Sequence, residues 1–361
     1  MNILIVIGTR PNFIKVTQFK KLASKYSSLD LKIVHTGQHY DDKMADVFFK
    51  QFNLIPDYFL NISQGSPNSQ IAEIMHKLEQ LIITDFKPDL LIVVGDVNST
   101  LAASITANKM GIKLAHIESG LRSFDETMPE EHNRIITDKL SNLFFVTEQS
   151  GYDNLIAEGV SSEKIVFVGN TMIDTMVAFE KQIDSSEVLA QYNLHKNDFV
   201  LMTMHRPATV DNHEELHKLY KLIEDLTIKY KVFFPIHPRT LKRIEEFGLK
   251  DKFINNSKII LAEPLDYFAF QKLVKECKFI ITDSGGIQEE STFLGKPCLT
   301  LRPNTERPVT VTEGTNTLVP FELDTIKDFV SQIESGIYKK GQVPKLWDGK
   351  STERILNYLT K

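Results

Sequence analysis

Asp96 follows the apolar run 90-LLIVVG-95, Glu118 closes 113-KLAHIE-118, and Glu131 lies in 128-MPEEHNR-134. Three carboxylates brought to one edge repel one another. At least one of them should then hold its proton more tightly than a free acid does, as general acid–base chemistry requires. Arg122 and Arg134 are close in sequence and can offset part of that charge. His205 in 203-TMHRP-207 and His237 in 235-PIHPR-239 also stand where an apolar run stops. Such a histidine can donate to a phosphate or protonate a leaving group.

A second constellation is 282-TDSGGIQEES-291, directly after the apolar run at 279–281. A strand should end at Asp283 and a helix begin near Gly286. Backbone N–H groups uncovered by Gly285 and Gly286 at a helix start make an anion site, and Ser284 adds a hydroxyl. The glutamates that follow would repel a phosphate. The conflict disappears if the ligand carries both phosphate and ribose, with Glu290 turned to the sugar hydroxyls and Glu289 a structural partner. Arg302 and Arg307 flank the loop in 301-LRPNTERPVT-310, where Arg307 could touch the same nucleotide or hold Glu290. In 8-GTRPNFIK-15, Pro11 suits the first turn of a helix. Arg10 and Lys15, one turn apart, both suit phosphate.

The elements that must position these groups are short β-branched runs alternating with amphipathic stretches. One series of strands is expected at 3–8, 31–36, 90–95, 113–118, 143–147 and 164–169. A second is expected at 199–205, 231–237, 258–263, 279–283 and 298–302. Continuous apolar runs mark strands buried on both faces, and helices between them, such as 98–110, 213–229 and 266–276, make parallel βα units. Asp211 and Glu214 have capping-box spacing. The fold class is therefore α/β, with two doubly wound Rossmann-like domains and an inter-domain cleft. The expected division is 1–170, carrying the acids, and 171–349, carrying the nucleotide loop, with a last helix at about 350–361 packing on either. The polar residues gather at the carboxyl ends of strands, where open parallel sheets bind ligands.

Composition narrows the class. The chain has 361 residues, 42 basic and 47 acidic, for a net charge of −5, with no basic stripe or tail, which argues against a nucleic-acid partner. The longest apolar runs are too short to span a bilayer, and the start, MNILIVIGTR, has no signal-peptide pattern, so a cytoplasmic enzyme is expected. Cys277 and Cys298 have no metal spacing, and no HExxH, GxSxG or GxGxxG pattern is present. No metal or redox cofactor is expected.

Taken together the motifs resemble the non-hydrolysing UDP-N-acetylglucosamine 2-epimerases. They are GTRP at 8–11, TGQH at 36–39, GDVNST at 95–100, HIESGLRSFDETMPEEHNR at 116–134, VGNTMID at 168–174, HRP at 205–207, TDSGGIQEES at 282–291 and TERP at 305–308. The resemblance implies a glycosyltransferase-B-like architecture whose C-terminal helix, here about 350–361, crosses back to join the first domain, a homodimer, and reversible epimerisation of UDP-GlcNAc and UDP-ManNAc at C2. It implies UDP elimination to a 2-acetamidoglucal and re-addition, without a cofactor. It implies that Asp96, Glu118 and Glu131 transfer protons, and that Arg10, His205, Ser284 and Gly285 hold the diphosphate, with His205 assisting its departure. It further implies Glu290 on the ribose, Arg307 close by, and Phe270 beside uracil. Gln38, His39, Arg206 and His237 match part of a family regulatory site.

The sequence also departs from the family. HRREN reads HRPAT, GTRPE reads GTRPN, and 63-SQGSPNSQ-70 lacks an expected arginine. The sugar stays open, because a relative acting on UDP-2,3-diacetamido-2,3-dideoxyglucuronic acid keeps most of these motifs. Other readings are a glycosyltransferase of the same architecture, a hydrolysing epimerase and a nucleotide-sugar sensor. A glycosyltransferase does not need three acids, a hydrolysing epimerase normally carries a kinase, and a sensor needs no acids at all.

Overall fold

The structure, a computed structural model, describes residues 1–37 and 49–361. It divides into two compact units, Met1–Ala178 with Lys345–Lys361, and Phe179–Pro344.

In the first unit the strands are β1 (Asn2–Ile7), β2 (Asp30–His35), β3 (Tyr58–Phe59), β4 (Leu90–Val94), β5 (Lys113–Ile117), β6 (Leu143–Val146) and β7 (Ile165–Phe167). Among the described residues their order is β3-β2-β1-β4-β5-β6-β7, and every pairing is parallel. β4 is buried along its whole length, as its unbroken LLIVV run requires of a central strand covered on both faces. Leu4, Val6, Leu91 and Val93 share a core cluster with Leu78 of the helix Pro67–Thr84 and Ala103 of the helix Asn98–Lys109. The strand order reverses between β1 and β4, which makes that seam the switch point where such sheets bind ligands.

The second unit repeats the plan. Its strands are β8 (Phe199–Thr203), β9 (Lys231–Pro235), β10 (Ile259–Ala262), β11 (Phe279–Thr282), β12 (Cys298–Thr300) and β13 (Asn316–Leu318). They run β10-β9-β8-β11-β12-β13, again parallel throughout. The reversal lies between β8 and β11, with Thr203 opposite Thr282 in register. Val200, Met202 and Ile281 meet Leu219 and Ile223 of the helix His213–Thr227 in one core, while Leu201 and Ile280 meet Leu273 of the helix Tyr267–Glu276 in another.

Both α/β units match the expected class, and the structure adds details the pattern did not carry. β3 and β13 went unread because YF and NTL are short and do not sit in an unbroken β-branched apolar run. The helix Thr171–Ala178 belongs to the first unit, whereas the expected division at 170/171 gave it to the second. Its Thr175 hydroxyl donates to the Ile14 carbonyl, and Asp174 accepts the amides of Ser351 and Thr352. The terminal segment is held to that unit by these amides and by Trp347, whose buried indole donates to the Thr147 carbonyl at 3.0 Å. The cap of the helix His213–Thr227 is Asn212, which accepts the Glu214 and Glu215 amides, rather than Asp211, which pairs with Arg239 and Arg243. Among the described residues no helix is long and apolar enough to cross a membrane.

Candidate active site

The switch point of the first unit collects the acids. Gly8, just past β1, has no room for a side chain, since a Cβ there would lie 2.0 Å from Ser99 Oγ. Arg10 follows and is exposed, opening the short helix Arg10–Ile14 with Pro11 in its first turn. Asn12, where the family pattern has glutamate, accepts from the Thr9 hydroxyl and donates to the Val94 carbonyl, tying the ends of β1 and β4 together. Lys15 was expected to serve phosphate. Its buried Nζ is 2.5 Å from Glu118 Oε2.

Glu118 stands just past β5 with φ +69°, a left-handed conformation that costs a residue with a side chain on the order of 1–3 kcal/mol. Gly95 turns the chain after β4 at φ +66°, and a Cβ there would lie 3.5 Å from Glu118 Oε2, so that carboxylate rests against the turn. Asp96 follows, and its Oδ2 is 2.7 Å from Arg134 Nη2. Its side chain keeps 26% exposure against 3% for Glu118 and Glu131, so it is the accessible acid of the three.

Glu131, in the first turn of the helix Pro129–Leu140, accepts from the Ser123 amide and hydroxyl, from the Phe124 amide and from Arg134 Nη1. Arg134 therefore bridges Asp96 and Glu131, while Lys15 serves Glu118. Arg122, expected to share this task, is bound instead to Asp138 and Glu158. Two buried cations offset the mutual repulsion of the carboxylates, as ion groups removed from water must be.

The second unit assembles its loop around Asp283, one residue past β11 and wholly buried. The carboxylate accepts the amides of His205 (2.9 Å) and Arg206 (2.8 Å), and His205 Nδ1 lies 3.0 Å away. Burial works to raise the Asp283 pKa, but His205 and these two amides outweigh it and hold the carboxyl below its usual range. Because Nδ1 faces the carboxylate, the ring points Nε2 the other way. His237 stands beside it, ring centres 5.5 Å apart, and its Nδ1 accepts the Arg239 amide. Burial, with the charges of His205 and Arg239, pushes the His237 pKa down against the pull of Asp283.

Ser284, Gly285 and Gly286 are half-buried at the mouth of the helix Gly286–Phe293. A Cβ on Gly285 would meet Glu306 Oε1 at 2.7 Å, with Arg307 Nη1 and Arg302 Nη1 just beyond. Glu306 pairs with both arginines, and Arg307 Nε lies 2.7 Å from Glu289 Oε2. Glu289 is thus the buried partner of Arg307, and Glu290, next along the helix, is buried as well. The Arg302 pKa is lowered by burial and by nearby Arg206 and Arg307, against the pull of Glu306. Phe270 is half-buried against the core that holds Leu273.

Sequence reasoning placed Asp96, Glu118 and His205 where apolar strands stop, and they lie just past β4, β5 and β8. It missed Asp283 as the partner of His205, and Glu306 between the arginines. Both pairings are tertiary, although a carboxylate directly at a strand end before a glycine pair was a readable signal. Arg206 adjoins His205, whereas Gln38 and His39 lie outside the described residues.

Comparison with known proteins decides the family. The family model described as UDP-N-acetylglucosamine 2-epimerase matches residues 21–360. The chain belongs to the UDP-N-acetylglucosamine 2-epimerase family. The UDP-N-acetylglucosamine 2-epimerase of Methanocaldococcus jannaschii is 40% identical over 100% of this chain and 99% of its own. The crystal structure of that enzyme in complex with UDP-GlcNAc and UDP superposes with a TM-score of 0.88, covering 100% of this chain and 99% of that one. The UDP-2,3-diacetamido-2,3-dideoxy-D-glucuronate 2-epimerase of Pseudomonas aeruginosa is 37% identical over the full length of both chains. This family member is an enzyme of the epimerase class, built on the two-unit Rossmann-like plan.

Proposed function

We propose that the enzyme interconverts UDP-GlcNAc and UDP-ManNAc at C2. The observation that carries this reading is the split between cation-backed acids at the first switch point and an anion-receptive loop at the second. The second unit takes the UDP group: the diphosphate at Ser284, Gly285 and Gly286 with His205, the ribose at Glu290 near Arg307, and uracil beside Phe270. The acids act on the sugar.

A carboxylate removes the C2 proton and the C1–O bond breaks. The electron pair leaves with UDP, giving a 2-acetamidoglucal. Protonation on the other face and return of UDP to C1 give the epimer. Every proton and electron pair is restored, so no redox cofactor is consumed. Glu131 already has both oxygens engaged by two amides, a hydroxyl and a guanidinium. The proton exchange is therefore assigned to Asp96 and Glu118, with Glu131 shaping the 123–124 turn. Stabilising the departing diphosphate is the larger electrostatic task, which the helix start at Gly286 and the His205 ring suit.

The same reading makes the enzyme a cytoplasmic homodimer supplying ManNAc-type sugars for surface polysaccharide. A second substrate is favoured by the Pseudomonas relative: the diacetamido uronic acid in place of UDP-GlcNAc. Proton NMR in deuterated water tests both. Loss of the C2 proton from UDP-GlcNAc, with UDP-ManNAc appearing, is the expected result. Exchange only with the uronic acid moves the substrate, and release of free ManNAc, or no exchange with either sugar, sinks the reading.

A further inference from the structure

His116 lies within β5, two residues before Glu118, and is completely buried. Its Nε2 is 2.9 Å from the Gly95 carbonyl oxygen, and its Nδ1 is 2.7 Å from Asp138 Oδ1. A carbonyl only accepts, so Nε2 carries a hydrogen. Asp138 Oδ2 is itself engaged by the Gly120 amide at 3.0 Å and by Arg122 Nη2 at 2.7 Å. A backbone amide and a guanidinium donating to the same carboxyl keep Asp138 ionised. An ionised carboxylate also only accepts, so Nδ1 carries a hydrogen as well.

We propose that His116 is a buried imidazolium, and that the His116–Asp138 pair is the positioning element that sets Asp96 and Glu118 for proton exchange. His116 grips the carbonyl of the residue before Asp96. Asp138 grips the amide of Gly120, two residues after Glu118. Glu118 is thereby clamped on both sides, at 116 and at 120, which holds its left-handed backbone in place. Asp138 also shares one helix face with Glu131 and Arg134, at spacings of seven and four residues, so the pair ties that helix to the ends of β4 and β5. A neutral ring could donate only one of the two hydrogen bonds, and the clamp would open on one side. The charged groups around the ring are Asp138, with Arg122 behind it, and the Lys15–Glu118 pair on the far side of Gly95.

The role given to Asp96 and Glu118 rests on the function proposed above, so two kinds of measurement are needed. Nitrogen NMR of histidine-labelled wild-type protein, with the resonance assigned through His116→Gln or Asp138→Asn, should show both ring nitrogens of His116 protonated. A neutral-ring signature overturns the proposal whatever the substrate is. In His116→Gln, the amide resonances of Glu118 and Gly120 should shift, and if they stay in place there is no clamp. With the exchanging sugar, His116→Gln should lower kcat about 100-fold, as misplacement by about 1 Å does, while KM and UDP affinity stay within about twofold. A kcat within about threefold of wild type, or a parallel loss of UDP binding, refutes the positioning role. Wild-type protein that exchanges neither sugar fails the functional reading alone, and the two NMR results still decide this one.

Discussion

Each unit carries a histidine–aspartate pair at the carboxyl end of its sheet, and the two pairs are built in opposite ways. In the first unit His116 is completely buried and both ring nitrogens are engaged, one on Asp138 and one on the backbone of Gly95. In the second, Asp283 is the buried member, while the His205 side chain keeps 39% exposure and offers Asp283 only Nδ1. A fully enclosed pair can act only through the groups it fixes. A half-open pair fixes a tautomer and turns the other nitrogen outward. The same two residue types therefore fix backbone groups in one unit and, in the function proposed above, meet a ligand in the other.

The most severe way to break that comparison is to remove an acid the enclosed pair is said to place. Glu118→Gln should lower C2 exchange about 1,000-fold, within the range general acid–base groups contribute. UDP affinity, measured by calorimetry, should stay within about twofold, because the nucleotide is assigned to the second unit. Equal losses in exchange and in UDP affinity would mean that Glu118 holds the fold rather than the proton.

Asp283→Asn attacks the half-open pair. The amide keeps the shape but can present Nδ2–H toward His205, favouring the wrong tautomer, and it weakens the grip on the His205 and Arg206 amides. Exchange should fall about 100-fold, and UDP affinity about 10-fold with it. The contrast with Glu118→Gln is the informative part. One variant should separate chemistry from nucleotide binding and the other should couple them. If Asp283→Asn left UDP affinity untouched, the two pairs would not differ in the way proposed.

The sequence made the outer half of this comparison legible and hid the inner half. Unbroken apolar runs such as LLIVV and FIIT announce buried parallel strands, and the residues that stop them are automatically at the ligand-binding edge. Asp96, Glu118 and His205 were readable for that reason, and the glycines at 285 and 286 because few other uses explain them there. Partnerships were not readable. Lys15 and Glu118 are 103 residues apart, and His205 and Asp283 are 78 apart, so only the folded chain brings them together. Asp138 and Glu306 were invisible because an acid inside an amphipathic helix or a polar loop looks solvated until its neighbours are known. The domain break falls one helix beyond the expected one for the same reason. What assigns Thr171–Ala178 to the first unit is a hydroxyl on Ile14 and a carboxylate on the amides of 351 and 352.

The gentlest test concerns a third buried aspartate, which has amide donors like the other two but is not set against a histidine or an arginine. Asp174 accepts the Ser351 and Thr352 amides at the start of the helix Ser351–Leu359. Burial raises its pKa despite the hydrogen bonds from Thr352 and Ser351, whereas Asp138 and Asp283, beside histidine or arginine, are lowered despite burial. The signs then oppose. For Asp138 and Asp283 the folded pKa lies below the unfolded value near 4, so their stabilisation is full above that pH and lost as pH falls through the lowered values. For Asp174 the folded pKa lies above it, so its contribution is full at low pH and is lost as pH rises through the raised value. The side-chain amide of the Asp174→Asn variant cannot titrate. The melting temperature of that variant relative to wild type should therefore drop by about 2 °C between pH 7 and pH 4.5, as wild type gains the stability of protonating this acid and the variant does not. A constant difference across that range would mean that the two amides alone hold the Asp174 carboxylate as well as a cation would. Amides would then suffice for Asp283 too, and the His205 ring would have no part in keeping that aspartate ionised.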